Sequence, residues 1–187
     1  MATIDPLQRD SQPIALPGLG RALIAAGKLG QKPAEDLYRK ALASKNSFIA
    51  ELMGSGAVSA ADLAHTLSAA FAAPLLDLDA IDTERLPKGL LDSKICIAYR
   101  VVVLSKRSNR LIVATADPSD QAAAEKIKFS TQMGVDWVIA EYDKLSKLVD
   151  ANATTATEAM EDIIGGDFEF DEASAEAVID NGQANTS

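Results

Sequence analysis

The sequence predicts an α+β fold: an N-terminal four-helix subdomain of two repeated helical hairpins, then a small α/β subdomain with about three strands. Three observations predict it. Before residue 74, apolar residues recur at helical spacing and repeat after 29 positions. β-branched runs begin only after Pro74 and alternate with helix signals. All the net charge lies beyond residue 150, which sets a neutral body apart from an acidic tail.

Residues 1–16 hold Pro6, Pro13 and scattered apolar residues without a period, and read as a flexible leader. Structure is expected from Pro17. Arg21–Ala26 is rich in helix formers and Gly27 is a stop. Pro33 suits the first turn of a second helix reaching Ser44, with Glu35 and Asp36 near its positive end. Ser47 is a cap for Phe48–Ser55, which Gly56 ends. Ser59-Ala60-Ala61-Asp62 resembles a capping box opening a fourth helix to about Ala72. A shift of 29 places Leu19 on Phe48, Leu23 on Leu52, Gly27 on Gly56 and Leu29 on Val58. It continues with Gly30 on Ser59, Ala34 on Leu63, Tyr38 on Leu67 and Leu42 on Phe71. Neither hairpin can bury its stripe alone, so the two should pack together across residues 17–74.

Residues 75–151 change character. Leu75-Leu76-Asp77-Leu78 is short and extended, and Leu90–Lys94 is a short helix. Ile95–Leu104 reads as a strand, Ser105–Asn109 as a polar connection, and Arg110–Ala116 as a second strand antiparallel to the first. Asp117-Pro118-Ser119-Asp120 caps a helix over Gln121–Gln132, ended by Gly134. Val135–Ala140 is the third strand and Tyr142–Ala151 the last helix. Residues 152–187, with low apolar content and uniform charge, are expected to be a disordered acidic linker.

Composition excludes several classes of function. The 187 residues carry 27 acids against 18 bases, and nine of those acids lie from Ala151 to Ser187, where there is no Lys or Arg. A pI near 4.6 argues against general nucleic-acid binding. One Cys and one His make neither an internal disulfide nor a His/Cys zinc site. No apolar run approaches the roughly 18 residues of a membrane span, so a cytoplasmic protein without membrane insertion is expected.

No phosphate loop of the Gly-x-x-x-x-Gly-Lys-Ser/Thr form occurs, nor a Gly-x-Gly-x-x-Gly after a strand. His65 has no catalytic companion and reads as structural. Cys96 lies in apolar company and reads as a buried thiol. Asp77, Asp79, Asp82 and Glu84 suggest a cation, but the Gly and terminal Glu of a calcium loop are missing, which favours a solvated loop. Lys106, Arg107 and Arg110 surround the turn, which reads as solvated, with a small anion site as the alternative, and Trp137 reads as a core position. No catalytic residues emerge. The chain reads as a binding or regulatory module.

The repeat adds a resemblance. Leu19-Gly20-x-x-Leu23-x-x-x-Gly27, its Phe48-x-x-x-Leu52-x-x-x-Gly56 echo and Asp62-Leu63-x-x-x-Leu67 resemble the N-terminal module of secretion and pilus ATPases. Arg100-Val-Val-Val-Leu, Arg110-Leu-Ile-Val-Ala-Thr-Ala-Asp-Pro-Ser-Asp and Ile127-Lys-Phe-Ser-Thr resemble the type IV pilus assembly ATPases of the PilB type. The resemblance spans about residues 17–150. It implies an N-terminal regulatory domain followed in a longer protein by an ATPase core, to which ATP and magnesium would bind. It implies no cofactor and no hydrolysis for the present residues.

Such modules are implied to work in one of two ways. Some bind cyclic di-GMP directly, using an Arg ahead of each repeat's first Leu and a Gln at each unit's end. Those positions are Gly18, Ser47, Ala41 and Ala70 here, which carry no side chain able to reach a guanine edge or a phosphate. Others dock a PilZ-family adaptor, which can itself link to a cyclic-di-GMP receptor protein, while the parent protein meets the inner-membrane pilus machinery. Missing nucleotide ligands favour the adaptor. Ile24 and Met53 match in the repeat but fall one residue off the main stripe. With Phe48 and Ile49 they are expected to form an apolar partner-binding patch, or else to pack against the α/β subdomain.

Overall fold

The computed structural model describes the backbone of residues 14–165 and side chains through residue 155. The chain divides into two compact units, Met1–Ala153 and Thr154–Ser187. Within the described residues the fold is α+β. Helices α1 (Gly18–Ala25), α2 (Gln31–Ser44), α3 (Phe48–Ser55) and α4 (Ala60–Phe71) come first. Two single 3-10 turns follow, at Leu78–Ala80 and Thr83–Arg85. Then come α5 (Ser93–Tyr99), β1 (Val102–Arg107), β2 (Arg110–Thr115), α6 (Gln121–Thr131), β3 (Gly134–Ile139) and α7 (Tyr142–Gly165).

The repeat is a physical one. Gly27 and Gly56 both take φ of +67° at the end of the first helix of each hairpin, the left-handed turn that costs glycine least. Gly30 and Ser59 are the matching N-caps, with φ/ψ of −77°/156° and −74°/154°. Leu19, Leu23, Leu52, Leu63 and Leu67 are almost wholly enclosed and form one core with Ala34 and Phe48. Leu42 and Phe71 are matched too, yet both are exposed, because each lies at the last turn of its hairpin. At Ser59 the capping box is altered: its hydroxyl accepts from the Asp62 N–H at 3.1 Å and donates to the Asp62 carboxylate at 2.9 Å.

The sheet runs in the order β1-β2-β3. β1 and β2 are antiparallel, whereas β3 lies parallel to β2 after the α6 crossover. One sheet face, with Val102 and Ala114, meets Leu78 and the α7 residues Leu145 and Val149. The other, with Val103, Leu111 and Val113, meets Leu91, Ile95 and Ile127. Leu75 pairs with Ile139, which ties the entry of the α/β region to the end of β3.

Four expectations are corrected. Ile95–Leu104 is not one strand: Ser93–Tyr99 is helical, capped by Asp92 accepting from the Lys94 N–H at 2.8 Å. Arg100 at φ +50° then breaks the helix, and β1 starts at Val102. A continuous apolar run does not by itself distinguish strand from buried helix. Second, Ser105–Arg107 belongs to β1, so the hairpin loop is only Ser108-Asn109, with Ser108 at the positive φ of a tight turn. The polar residues mark an edge strand's exposed end rather than a loop. Third, Ile14 packs against the helical core and Leu16 is buried, so the leader expected over residues 1–16 is shorter at its inner end; residues 1–13 lie outside the described ones. Fourth, α7 continues through Gly165, where disorder was expected from residue 152. Neither Gly nor Pro interrupts Tyr142–Ile164, so a helix nucleated on the core can propagate through that stretch. Residues 166–187 of the expected linker lie outside the described residues.

Candidate functional site

A cavity of about 260 Å³ opens where the helical layer meets the α/β layer, inside the Met1–Ala153 unit. Phe48 and Ile49 of α3 line one side, Tyr99 and Arg100 from the end of α5 another, and Tyr142 of α7 a third. The β2–α6 loop completes it with Asp117 and Asp120. These contributions come from stretches far apart in sequence, brought together because the loop after β2 docks against α1.

That docking has a definite chemistry. The Ser119 hydroxyl accepts the backbone N–H of Leu19 at 3.0 Å and donates to Asp117 Oδ1 at 2.6 Å. Asp117 Oδ1 also accepts from the Ser119 N–H at 2.9 Å. Pro17, the N-cap residue of α1, supplies no side-chain cap, so Ser119 satisfies an orphan donor of α1 from a hundred residues away. Gly18 permits the approach: a Cβ there would stand 2.6 Å from Ser119 Cβ. Burial pushes the Asp117 carboxyl above its ordinary range, the nearby Asp120 charge adds to this, and the Ser119 hydrogen bonds oppose it. Asp120 meanwhile caps α6, accepting from the Ala123 N–H at 3.0 Å. Arg100, the cation on the wall, pairs with Asp150 on α7.

A second clamp holds the two hairpins together. Glu51 of α3 is buried, accepts from Asn46 at 2.8 Å and from Ser44 at 3.1 Å, and pairs with Lys40 at 2.8 Å. The Asn46 hydrogen bond first, then Lys40, lowers its carboxyl to about 2.

The four residues expected to bind a partner do not share one exposed patch. Phe48 is only 9% exposed and meets Tyr38 edge-on, with ring centroids 5.5 Å apart. Ile24 and Met53 are half-buried against the helical core, each beside a fully buried Leu. Ile49 is half-buried between the helical core and the α7 side of the sheet. The positions implied for nucleotide ligands are also placed. Gly18 faces Ser119, Ser47 caps α3 through the Ala50 N–H, Ala41 is buried and Ala70 is exposed.

The remaining candidates resolve simply. Asp77 and Asp79 surround the ammonium of Lys144 at 2.8 and 2.7 Å, which lowers the Asp77 carboxyl; a lysine fills the place a cation would take. Among the described residues no group of three or more His, Cys, Asp or Glu is arranged to hold a metal. Burial pushes the Cys96 thiol up, away from reactivity. Trp137 is half-buried beside the Val113 side of the sheet, His65 is exposed, and Arg110 pairs with Asp136 at 2.8 Å across β2 and β3. In the sequence, Asp117-Pro118-Ser119-Asp120 reads only as a helix start. Nothing local announces that Ser119 caps α1. The one available signal was that Pro17 leaves α1 uncapped.

Comparison with known proteins follows the same lines. Residues 71–159 match the MshEN domain. The chain is 31% identical over 156 residues to the type IV pilus assembly ATPase PilB of Pseudomonas aeruginosa, covering 83% of this chain and 28% of that protein. It is 30% identical over 132 residues to PilB of Acinetobacter baylyi, covering 71% of this chain and 23% of that one. The matched stretch is thus about a quarter of these relatives' length. Among solved structures, MshE with cdg superposes with a TM-score of 0.53 at 24% identity, covering 71% of this chain and 96% of that one. The N-terminal domain of XpsE gives 0.58 at 22%, covering 71% of this chain and 91% of that one. At these identities the structural likeness speaks for the fold. Among the described residues no helix is long and apolar enough to cross a membrane.

Proposed function

We propose that this chain, which belongs to the MshEN-domain family as an N-terminal region of the PilB type of pilus assembly ATPase, is a regulatory protein-docking module of a type IV pilus extension motor. It binds a PilZ-family adaptor in the cytoplasm and so couples cyclic-di-GMP signalling to pilus assembly. The adaptor carries the cyclic-di-GMP receptor when one is engaged, and the parent protein meets the pilus machinery at the inner membrane. ATP hydrolysis, with its ATP and magnesium, belongs to the part of the relatives that this chain does not match.

The observation that carries the reading is the contact at Gly18. Direct nucleotide binding by the resembled motif needs a side chain there, and Ser119 already occupies the space in which its Cβ would begin. Ser47 at the equivalent position of the second hairpin is engaged as a cap. Direct cyclic-di-GMP sensing is the second reading, favoured by the likeness to MshE, which was solved with cdg. Gel filtration of the chain with the PilZ-type adaptor separates the two. Co-elution is expected, and weakened co-elution for Ile24→Glu or Met53→Glu with an unchanged circular dichroism spectrum would locate the contact on the helical layer. Separate elution of the unaltered proteins at micromolar concentration would count against docking.

A further inference from the structure

We propose that the interlayer cavity is the socket for a cationic side chain, an arginine or lysine of the docking partner; this rests on the docking reading and adds to it the chemistry of the contact. The cavity holds about 260 Å³, just below the range of about 300–1,000 Å³ typical for small-molecule ligands. Its size suits one long side chain better than a cofactor. Its walls combine two carboxylates, Asp117 and Asp120, with the aromatic residues Phe48, Tyr99 and Tyr142.

Charge decides the occupant. The Asp117 carboxylate takes its side-chain hydrogen bonds from the Ser119 hydroxyl and N–H, with no cation paired to it among the described residues, and burial and the Asp120 charge raise its carboxyl. Asp120 accepts the Ala123 N–H at the N-terminus of α6, and among the described residues no cation pairs with it. The wall's own cation, Arg100, is turned to Asp150. An incoming guanidinium or ammonium would give the two carboxylates a cationic partner through charge-assisted hydrogen bonds, while its methylene stem lies against the aromatic side chains. An anionic or phosphate-bearing group would meet two carboxylates in the same place, so the site selects against it. The pairing forms only in the complex, which makes the cavity a specificity element rather than part of the fold.

Calorimetric titration with the PilZ-type adaptor tests this on the full 187-residue chain. Asp117→Asn keeps an oxygen for the Ser119 bonds, Asp120→Asn keeps a good N-cap, and both remove charge. Ala98→Trp fills the mouth of the cavity from an exposed position. Each of the three is expected to weaken adaptor binding about tenfold or more, with thermal unfolding still cooperative. Adaptor binding that is unchanged in all three would overturn the socket while leaving the docking reading standing. No binding by the unaltered chain would remove the docking reading, and the socket with it. Alanine scanning of the adaptor's Lys and Arg residues then supplies a double-mutant cycle. One of them must show no further loss in the Asp117→Asn background; additive losses throughout would overturn the pairing.

Discussion

Ser119 and Asp117 show how much one side chain can do from far along the chain. Ser119→Ala leaves the Leu19 N–H without its acceptor and removes one of the two hydrogen bonds Ser119 gives Asp117, and is expected to cost about 1–2 kcal/mol in urea denaturation. Asp117 behaves in the opposite sense. Its raised pKa means that the folded chain holds the proton more tightly than the unfolded chain, so its contribution weakens as pH rises past the ordinary carboxyl value. Asp117→Asn, neutral at every pH, is therefore expected to melt at pH 7 at or above the temperature of the unaltered protein. Glu51 is lowered from 4.5 to about 2, so its stabilisation is complete above 4.5 and fades as pH falls toward 2. The stability gap between the protein and Glu51→Gln should shrink across that window; a constant gap would deny the clamp. Neither site was legible in the sequence. Ser119 meets a backbone N–H a hundred residues away, and Asn46 and Lys40 reach Glu51 only because Lys45 turns the chain at φ +56°.

Among the elements, those with their own punctuation were the legible ones. Phe48–Ser55 lies between Ser47 and Gly56 as the sequence indicates, because a hydroxyl cap and a left-handed glycine are local devices. Gly27→Ala and Gly56→Ala meet no steric contact and should each cost about 1–2 kcal/mol from backbone strain alone. Elements without punctuation misled. Ile95, Ile97 and the valines after Arg100 read as one β-branched run, yet the helix and the strand divide it at Arg100. Ile95 and Ile97 would share a face in a strand, but in α5 they point apart, 7% and 41% exposed. Ile97→Lys is thus expected to leave the urea midpoint almost unchanged while Ile95→Lys unfolds the α/β layer. Equal damage from both would restore the strand. The extension of α7 was missed for another reason: composition argues disorder from average polarity, whereas a nucleated helix propagates through Ala, Thr and Glu as far as Gly165.

At the scale of the whole molecule, the two layers have separate cores and meet at the Ser119 contact, at Ile49, which packs against both, and at the cavity that Ile49 lines. A partner docked at that junction would meet a composite surface whose chemistry depends on both layers being in register. On the docking reading, this surface takes a PilZ-type adaptor and the chain itself does not take up the second messenger. The most direct measurement is a pair of calorimetric titrations of the chain, one with the adaptor and one with cyclic di-GMP. Saturable heat with the adaptor and none with the nucleotide is the predicted result. Nucleotide binding without adaptor binding would contradict it, and would mean that ligands other than residues 18, 41, 47 and 70 hold the nucleotide.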